Sequence, residues 1–195
     1  MKLAGLDYFD LSSHLSDNEC RVQQSAREFV DNEILPIIDK HFENGTFPDD
    51  LIPKFAEMGF FGINLPKTDG CSGMNNIIYG LVCQELERAD SGVRSFISVQ
   101  NSLVMYPIHA YGSDAQKKKW LSLLANGESI GCFGLTEPDH GSDPGGMKTR
   151  AKKADGGYIL NGSKMWITNG TCADISVIWA KTDDDVVRGL LVEKG

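Results

Sequence analysis

Two short stretches of this chain carry residue types that could grip a flat heterocyclic ligand. The first is Cys132-Phe-Gly-Leu-Thr-Glu-Pro-Asp-His-Gly-Ser-Asp143, an apolar run that breaks into a polar loop. The second is Lys164-Met-Trp-Ile-Thr-Asn-Gly170. A planar ring with heteroatoms at its edge needs an apolar or aromatic wall and a few donors. Thr136 and Thr168 can supply hydroxyl donors, and Trp166 can supply the wall. Read as a strand, the second stretch sets Trp166 and Thr168 two apart, so both point at one ligand. The plainer alternatives are a core role for Trp166 and, for the first stretch, a turn whose hydroxyls bond their own backbone.

A third set lies upstream. Arg94 presents a rigid fork that matches a carboxylate. Helical spacing sets Glu87, Arg94 and Ser98 at i, i+7 and i+11, roughly on one face. Glu87 could then hold the guanidinium while Ser98 adds a hydroxyl. The plainer reading is a surface ion pair of Arg94 with Glu87 or Asp90, worth ~0–1 kcal/mol. His140 invites a role in proton transfer by its residue type. Lys117-Lys-Lys119 reads as a solvated helix face.

The elements that must position these residues change character part-way along. Ser16-Asp-Asn-Glu19 is a capping box opening a helix, behind which Val22, Ala26, Phe29 and Val30 recur at helical spacing. Pro36 should kink or end it. Pro48 to Gly59 predicts a short helix with a Gly stop. Asn75 to Arg88 predicts a third, with Ile78, Leu81, Val82 and Leu86 on its apolar face. Gly92 to about Ala110 predicts a buried fourth. Ser113-Asp-Ala-Gln116 caps a fifth, ending near Asn126-Gly127. The period then shifts. Ser129 to Leu135 reads as a strand, and Thr149 to Lys153 and Tyr158 to Leu160 flank a hairpin turn at Ala-Asp-Gly-Gly. Asn161-Gly162 is a second turn, and Ile175 to Ala180 and Leu190 to Val192 are further strands. The expected fold is α+β: an all-α helical domain over 1–128, then an incomplete antiparallel β-barrel or sandwich domain over 129–195. So few strands leave open edges, so the chain reads as a piece of a longer polypeptide.

Bulk properties narrow the function classes. Over 195 residues the chain has 41% apolar residues, 24% charged residues and a formal net charge of −8. That balance fits an ordinary globular protein and argues against nucleic acid or an anionic membrane as the main partner. No apolar stretch approaches the ~20 residues of a membrane span. The N-terminus has neither a long apolar core nor an Arg-rich presequence. The five cysteines are scattered, which supports neither a zinc site nor a disulfide framework. Cys71 and Cys132 read as buried, inert thiols. A cytoplasmic, bacterial location is expected, or the mitochondrial matrix for a mature eukaryotic form.

The chain resembles the acyl-CoA dehydrogenase family. The residues that carry the resemblance are Gly134-Leu-Thr-Glu-Pro138, Gly141-Ser-Asp-Pro144 and Lys164 to Gly170, which look like that family's paired flavin signatures. Glu85-Leu-Glu-Arg-Ala-Asp-Ser-Gly-Val-Arg-Ser95, Ser98 to Met105, Pro107-Ile and Tyr111-Gly-Ser are most similar to its glutaryl-CoA dehydrogenases. The resemblance implies an FAD-dependent oxidoreductase of lysine and tryptophan degradation, a homotetramer when complete. It would convert glutaryl-CoA to crotonyl-CoA and CO2 and pass electrons to an electron-transfer flavoprotein. It implies cofactor contacts from Phe133, Leu135, Thr136, Gly141, Ser142, Trp166, Ile167 and Thr168. It implies substrate contacts from Glu87, Arg94, Ser95, Ser98 and Ser142. The base in that family is a Glu of a C-terminal helical domain, so no catalytic residue and no metal ligand is assigned here, and the 195-residue chain alone should be inactive. By the same token His140 becomes a surface loop residue. Alternatives are a short- or branched-chain acyl-CoA dehydrogenase, with Arg94 structural, or a non-enzymatic remnant.

Overall fold

A computed structural model describes residues 10–195; the reading of the extreme N-terminus concerns residues outside that range. Helix α1 (Asp17–Phe29) starts at the expected box: the Ser16 amide donates to Glu19 Oε2 at 2.8 Å, and the Glu19 amide to Ser16 Oγ at 3.4 Å. Glu19 also accepts from Asn75 Nδ2 at 2.9 Å, and Asn75 Oδ1 caps α4 (Asn76–Ala89). One carboxylate thus ties the starts of two packed helices. Helix α1 passes into a π-helical segment, Val30–Ile34, and a turn at Pro36 precedes α2 (Ile38–Asn44). A 3-10 turn at Asp49–Leu51 leads into α3 (Ile52–Glu57), and Gly59 follows at φ +68°.

The expected fourth helix is built in three parts. Helix α5 (Ser91–Ser98) runs into a π-helical segment, Val99–Met105, and then α6 (Tyr106–Tyr111). The wider π turn brings two adjacent amides, Gln100 and Asn101, into the interior, where they are almost fully buried. Each is fully used. Asn101 accepts from the Ile63 amide and donates to the Phe60 and Ile97 carbonyls. Gln100 donates to the Leu124 and Ser129 carbonyls and accepts from the Gly131 amide at 2.9 Å. Helix α7 (Asp114–Ala125) begins at a second capping box on Ser113 and Gln116.

The sheet has five strands: β1 (Gly131–Gly134), β2 (Arg150–Ala154), β3 (Gly157–Asn161), β4 (Ile175–Lys181) and β5 (Val187–Glu193), ordered β1-β4-β2-β3 with β5 also on β4. It is mixed, which corrects the antiparallel expectation. The hairpins β2–β3 and β4–β5 are antiparallel, whereas β1 lies parallel to β4 with Gly131 opposite Ile175. Only a tight turn forces an antiparallel pair, and the long connection over 135–174 leaves β1 and β4 free to align. Ile130, Ile175 and Val177 share one buried cluster with Val104, Leu121 and Leu124, so sheet and helices close over a common core.

Candidate functional site

Strand β1 is seated by its neighbours. Gln100 holds the Gly131 amide, and a side chain at 131 would meet Val104 Cγ1 at 2.4 Å, so only Gly brings β1 this close to the π segment. On β1, Phe133 packs edge-on against Trp179, with ring centroids 5.8–6 Å apart at about 5.9 Å. Leu135 and Thr136 leave the strand half-buried. Glu137 and His140 then close a tight turn through two backbone hydrogen bonds, Glu137 N to His140 O at 3.0 Å and His140 N to Glu137 O at 3.2 Å. Gly141 and Ser142 lie beyond it in an exposed loop.

The second stretch is not a strand. Residues 162–174 form a loop laid along β1, which corrects the expectation of same-face spacing. Asn169 Nδ2 donates to the Gly131 carbonyl at 3.1 Å, and the Met165 amide donates to the Thr136 carbonyl at 2.8 Å. Trp166 and Asn169 take left-handed backbone angles, φ +60° and +66°, which are costly for residues with a Cβ. The left-handed turn aims Trp166 outward, 84% exposed, so it is no core aromatic. Ile167 and Thr168 remain half-buried. The two signature stretches are therefore brought together, but by loop-to-strand tethers rather than by strand pairing.

The donors expected at this place are free. The amide and hydroxyl of Thr136 and the hydroxyls of Ser142 and Thr168 make no hydrogen bond within the chain. Thr168 and Asn169 share a cleft with Thr46, Phe47, Gly92 and Phe96 of the helical region. An exposed indole beside unpartnered donors fits the edge of a flavin ring, which offers carbonyl and ring-nitrogen acceptors.

Arg94 makes the contacts expected of it, by another route. Asp90 is extended, φ −162°, and its carboxylate caps α5, so Glu87 and Arg94 belong to different helices. The single-helix spacing is thus corrected: the kink at Asp90 folds α5 back so that Arg94 Nε donates to Glu87 Oε2 at 2.6 Å. Nη1 donates to Ser98 Oγ at 3.2 Å, and Ser98 Oγ donates to the Ser95 carbonyl at 3.1 Å. The hydrogen bond from Arg94, with one from Ser91, holds the Glu87 carboxyl below its ordinary range, and Glu87 in turn raises the Arg94 guanidinium. The terminal nitrogens of Arg94 keep N–H groups free for a further acceptor. Gly92 and Phe96 line the Thr168 cleft, whereas Arg94 and Ser98, two positions further along each time, point to the other side of α5 against α4. The structure thus gathers the cofactor residues in one place and the substrate residues in another, on opposite sides of one helix.

Sequence reasoning missed Lys164, Glu137 and Gln100 as site-building residues. Lys164 and Glu137 form a buried ion pair at 2.9 Å, with side chains 8% and 4% exposed. A charged residue in each of the two motifs was the available signal. Burial of Glu137 by itself would raise its carboxyl. Hydrogen bonds from Lys164, Thr149 and the Lys148 and Thr149 amides overcome that and hold it at about 2.

Comparison with known proteins agrees with this geometry. The acyl-CoA dehydrogenase N-terminal domain model matches residues 16–128, and the middle domain model matches 132–195. The chain belongs to the acyl-CoA dehydrogenase family. It is 34% identical over 172 residues to the short-chain specific acyl-CoA dehydrogenase of Rattus norvegicus, covering 88% of this chain and 42% of that protein. It is 39% identical over 162 residues to the 3-(aryl)acrylate reductase of Clostridium sporogenes, covering 83% and 43%. A crystal structure of a glutaryl-CoA dehydrogenase from Mycobacterium smegmatis, in complex with FADH2, superimposes with a TM-score of 0.92 at 50% identity, over 95% of this chain and 47% of that one. The chain thus spans about half the length of the relatives it matches. Among the described residues no helix is long and apolar enough to cross a membrane.

Proposed function

We propose that this chain supplies the FAD-binding and acyl-recognising part of an acyl-CoA dehydrogenase that oxidises and decarboxylates glutaryl-CoA. The observation that carries the cofactor half is the free donor set of Thr136 and Thr168 beside the exposed Trp166, held together by the tethers between 131–136 and 164–169. FAD, when bound, supplies the hydride acceptor. Phe133, Leu135 and Ile167 would give the ring its apolar surroundings, Thr136 and Thr168 would donate to its edge, and Gly141 and Ser142 would leave an open entry for the CoA moiety.

The dicarboxylate half rests on Arg94. Glu87 and Ser98 fix the guanidinium, and its unused N–H groups suit a second carboxylate. Ser95, beside it on α5, can add a hydroxyl. The likeness to the mycobacterial glutaryl-CoA dehydrogenase supports the same reading. No side chain here is assigned as the base, which the resemblance places in a C-terminal helical domain. Residues 1–128 and 129–195 would act as two units of the subunit, with a tetramer and an electron-transfer flavoprotein as partners and a soluble compartment, bacterial cytoplasm or mitochondrial matrix, as setting. A specific observation favours a second reading: Arg94 Nε is already spent on Glu87 at 2.6 Å, as in a structural ion pair, and the rat short-chain enzyme is a relative.

Titration with FAD tests the first half, with flavin absorbance and fluorescence as readout. Retention of flavin by the folded chain is expected, and a colourless protein at saturating FAD overturns it. Calorimetry of the FAD-loaded protein with glutaryl-CoA and butyryl-CoA tests the second. Tighter binding of the glutaryl thioester is expected; equal binding favours the short-chain reading.

A further inference from the structure

The buried Lys164–Glu137 pair lies outside the cofactor and substrate residues named above, yet it touches both cofactor stretches. Lys164 immediately precedes Met165-Trp166-Ile167-Thr168, and Glu137 immediately follows Thr136. All three donors of the ammonium are spent: on Glu137 Oε1 at 2.9 Å, on the Leu135 carbonyl at 2.9 Å and, weakly, on Met147 Sδ at 3.9 Å. Glu137 is as fully used, accepting from the Lys148 amide at 2.6 Å, the Thr149 amide at 3.0 Å, the Thr149 hydroxyl and Lys164. A side chain on Gly134 would sit 3.2 Å from Lys164 Cγ, so that Gly leaves the lane in which the lysine stem lies. The arrangement is built, since two charges are taken out of water only where every lone pair and proton finds a partner.

We propose that Lys164 and Glu137 are positioning residues for the flavin, a clamp that joins the two cofactor loops and tunes the donor at Thr136. The Leu135 carbonyl and the Thr136 N–H belong to one planar trans peptide, so they point in opposite directions. An ammonium on the carbonyl therefore faces that N–H away from Lys164, towards the side where it has no partner in the chain, and polarises it into a stronger donor. Next along, the Met165 amide binds the Thr136 carbonyl at 2.8 Å, so the loop carrying Trp166 and Thr168 is locked in register with that peptide. Glu137 keeps the ammonium from leaving. The clamp acts through Thr136, Trp166 and Thr168.

The proposal rests on the FAD reading, and the test separates the two. Lys164→Met keeps the stem and removes the charge; the double variant Glu137→Gln/Lys164→Met leaves no unpaired buried charge, should the single variant fold poorly. Each full-length chain is titrated with FAD, and its flavin spectrum and midpoint potential are recorded, with far-UV circular dichroism of the FAD-free protein as the folding control. Expected for whichever variant folds is a Kd for FAD raised on the order of tenfold or more, with a displaced flavin band and a lowered midpoint potential, since a weaker donor stabilises the reduced ring less. Wild-type Kd, spectrum and potential in a folded variant overturn the clamp and leave the FAD reading standing. A wild-type chain that binds no FAD overturns both.

Discussion

Arg94 stands where an ordinary ion pair and a substrate hook would look alike, because both need Glu87 at hydrogen-bond distance. They part on substitution. If Arg94 receives the distal carboxylate, Arg94→Gln in the FAD-loaded enzyme should lower kcat/KM for glutaryl-CoA by about ten- to 150-fold, from a charge-assisted pair worth roughly 1.5–3 kcal/mol. Butyryl-CoA lacks that carboxylate, so its kcat/KM should barely fall. Steady-state kinetics on both thioesters decide it, and parallel losses would make Arg94 structural. Trp166 is different in kind. At 84% exposure its truncation removes little buried area, so Trp166→Ala should shift stability by no more than about 0.5 kcal/mol while weakening FAD retention. Thr168→Ala should weaken retention by less, through loss of one hydrogen bond worth about 0.5–1.5 kcal/mol. Paired measurements of melting temperature and flavin content would show it, and full flavin content in both variants would leave these residues without a cofactor role.

At the level of elements, β1 owes its place to the π-helical segment Val99–Met105 behind it. An ordinary α turn there would rotate Gln100 away from the Gly131 amide that it now holds. The contact between Gly131 and Val104 is tight enough to test this. Gly131→Ala would bring its Cβ within 2.4 Å of Val104 Cγ1 and should destabilise the protein by roughly 1–3 kcal/mol through overpacking. Val104→Ala alone should destabilise as well, by opening a cavity. Combined, the two should cost less than their sum, because the space that one needs the other vacates. Chemical denaturation of the four proteins gives the coupling, and simple additivity would mean that β1 is not seated on Val104.

For the whole molecule, acid is the informative stress. Glu137 is held at about 2, well below the ordinary 4.5 of a Glu carboxyl, so the folded state favours its charged form more than the unfolded chain does. Its contribution is fully present above pH ~4.5 and fades as pH falls from there towards ~2. Glu19, lowered by hydrogen bonds from the Ser16 amide, the Asn75 side chain and the Ser16 hydroxyl, acts in the same direction where α1 meets α4. Melting temperature should therefore drop through this window. Glu137→Gln should lie lower than wild type at neutral pH and show a shallower acid decline, as scanning calorimetry across pH would record. A wild-type slope in the variant would show that the pair does not govern the acid limb.

Local pattern was enough for much of the frame. The Ser16 and Ser113 capping boxes, the Asn75 cap and the turn between β2 and β3 depend on residues within a few positions of one another, and they formed where their chemistry placed them. The motif residues also marked the family, because an unusual run of specific types needs no tertiary knowledge to be noticed. What tertiary structure decided were matters of distance along the chain. The parallel pairing of β1 with β4 spans the whole 135–174 connection, and no turn signal encodes it. Trp-Ile-Thr has the composition of a strand, yet tethers from Asn169 to Gly131 and from Met165 to Thr136 hold it as a loop with Trp166 left-handed. The kink at Asp90, an exposed-type residue spent on capping α5, turned one expected helical face into a contact between two helices. Lys164 and Glu137 read as surface charges one at a time; only the fold, by burying both against a common set of amides, makes each the other's partner.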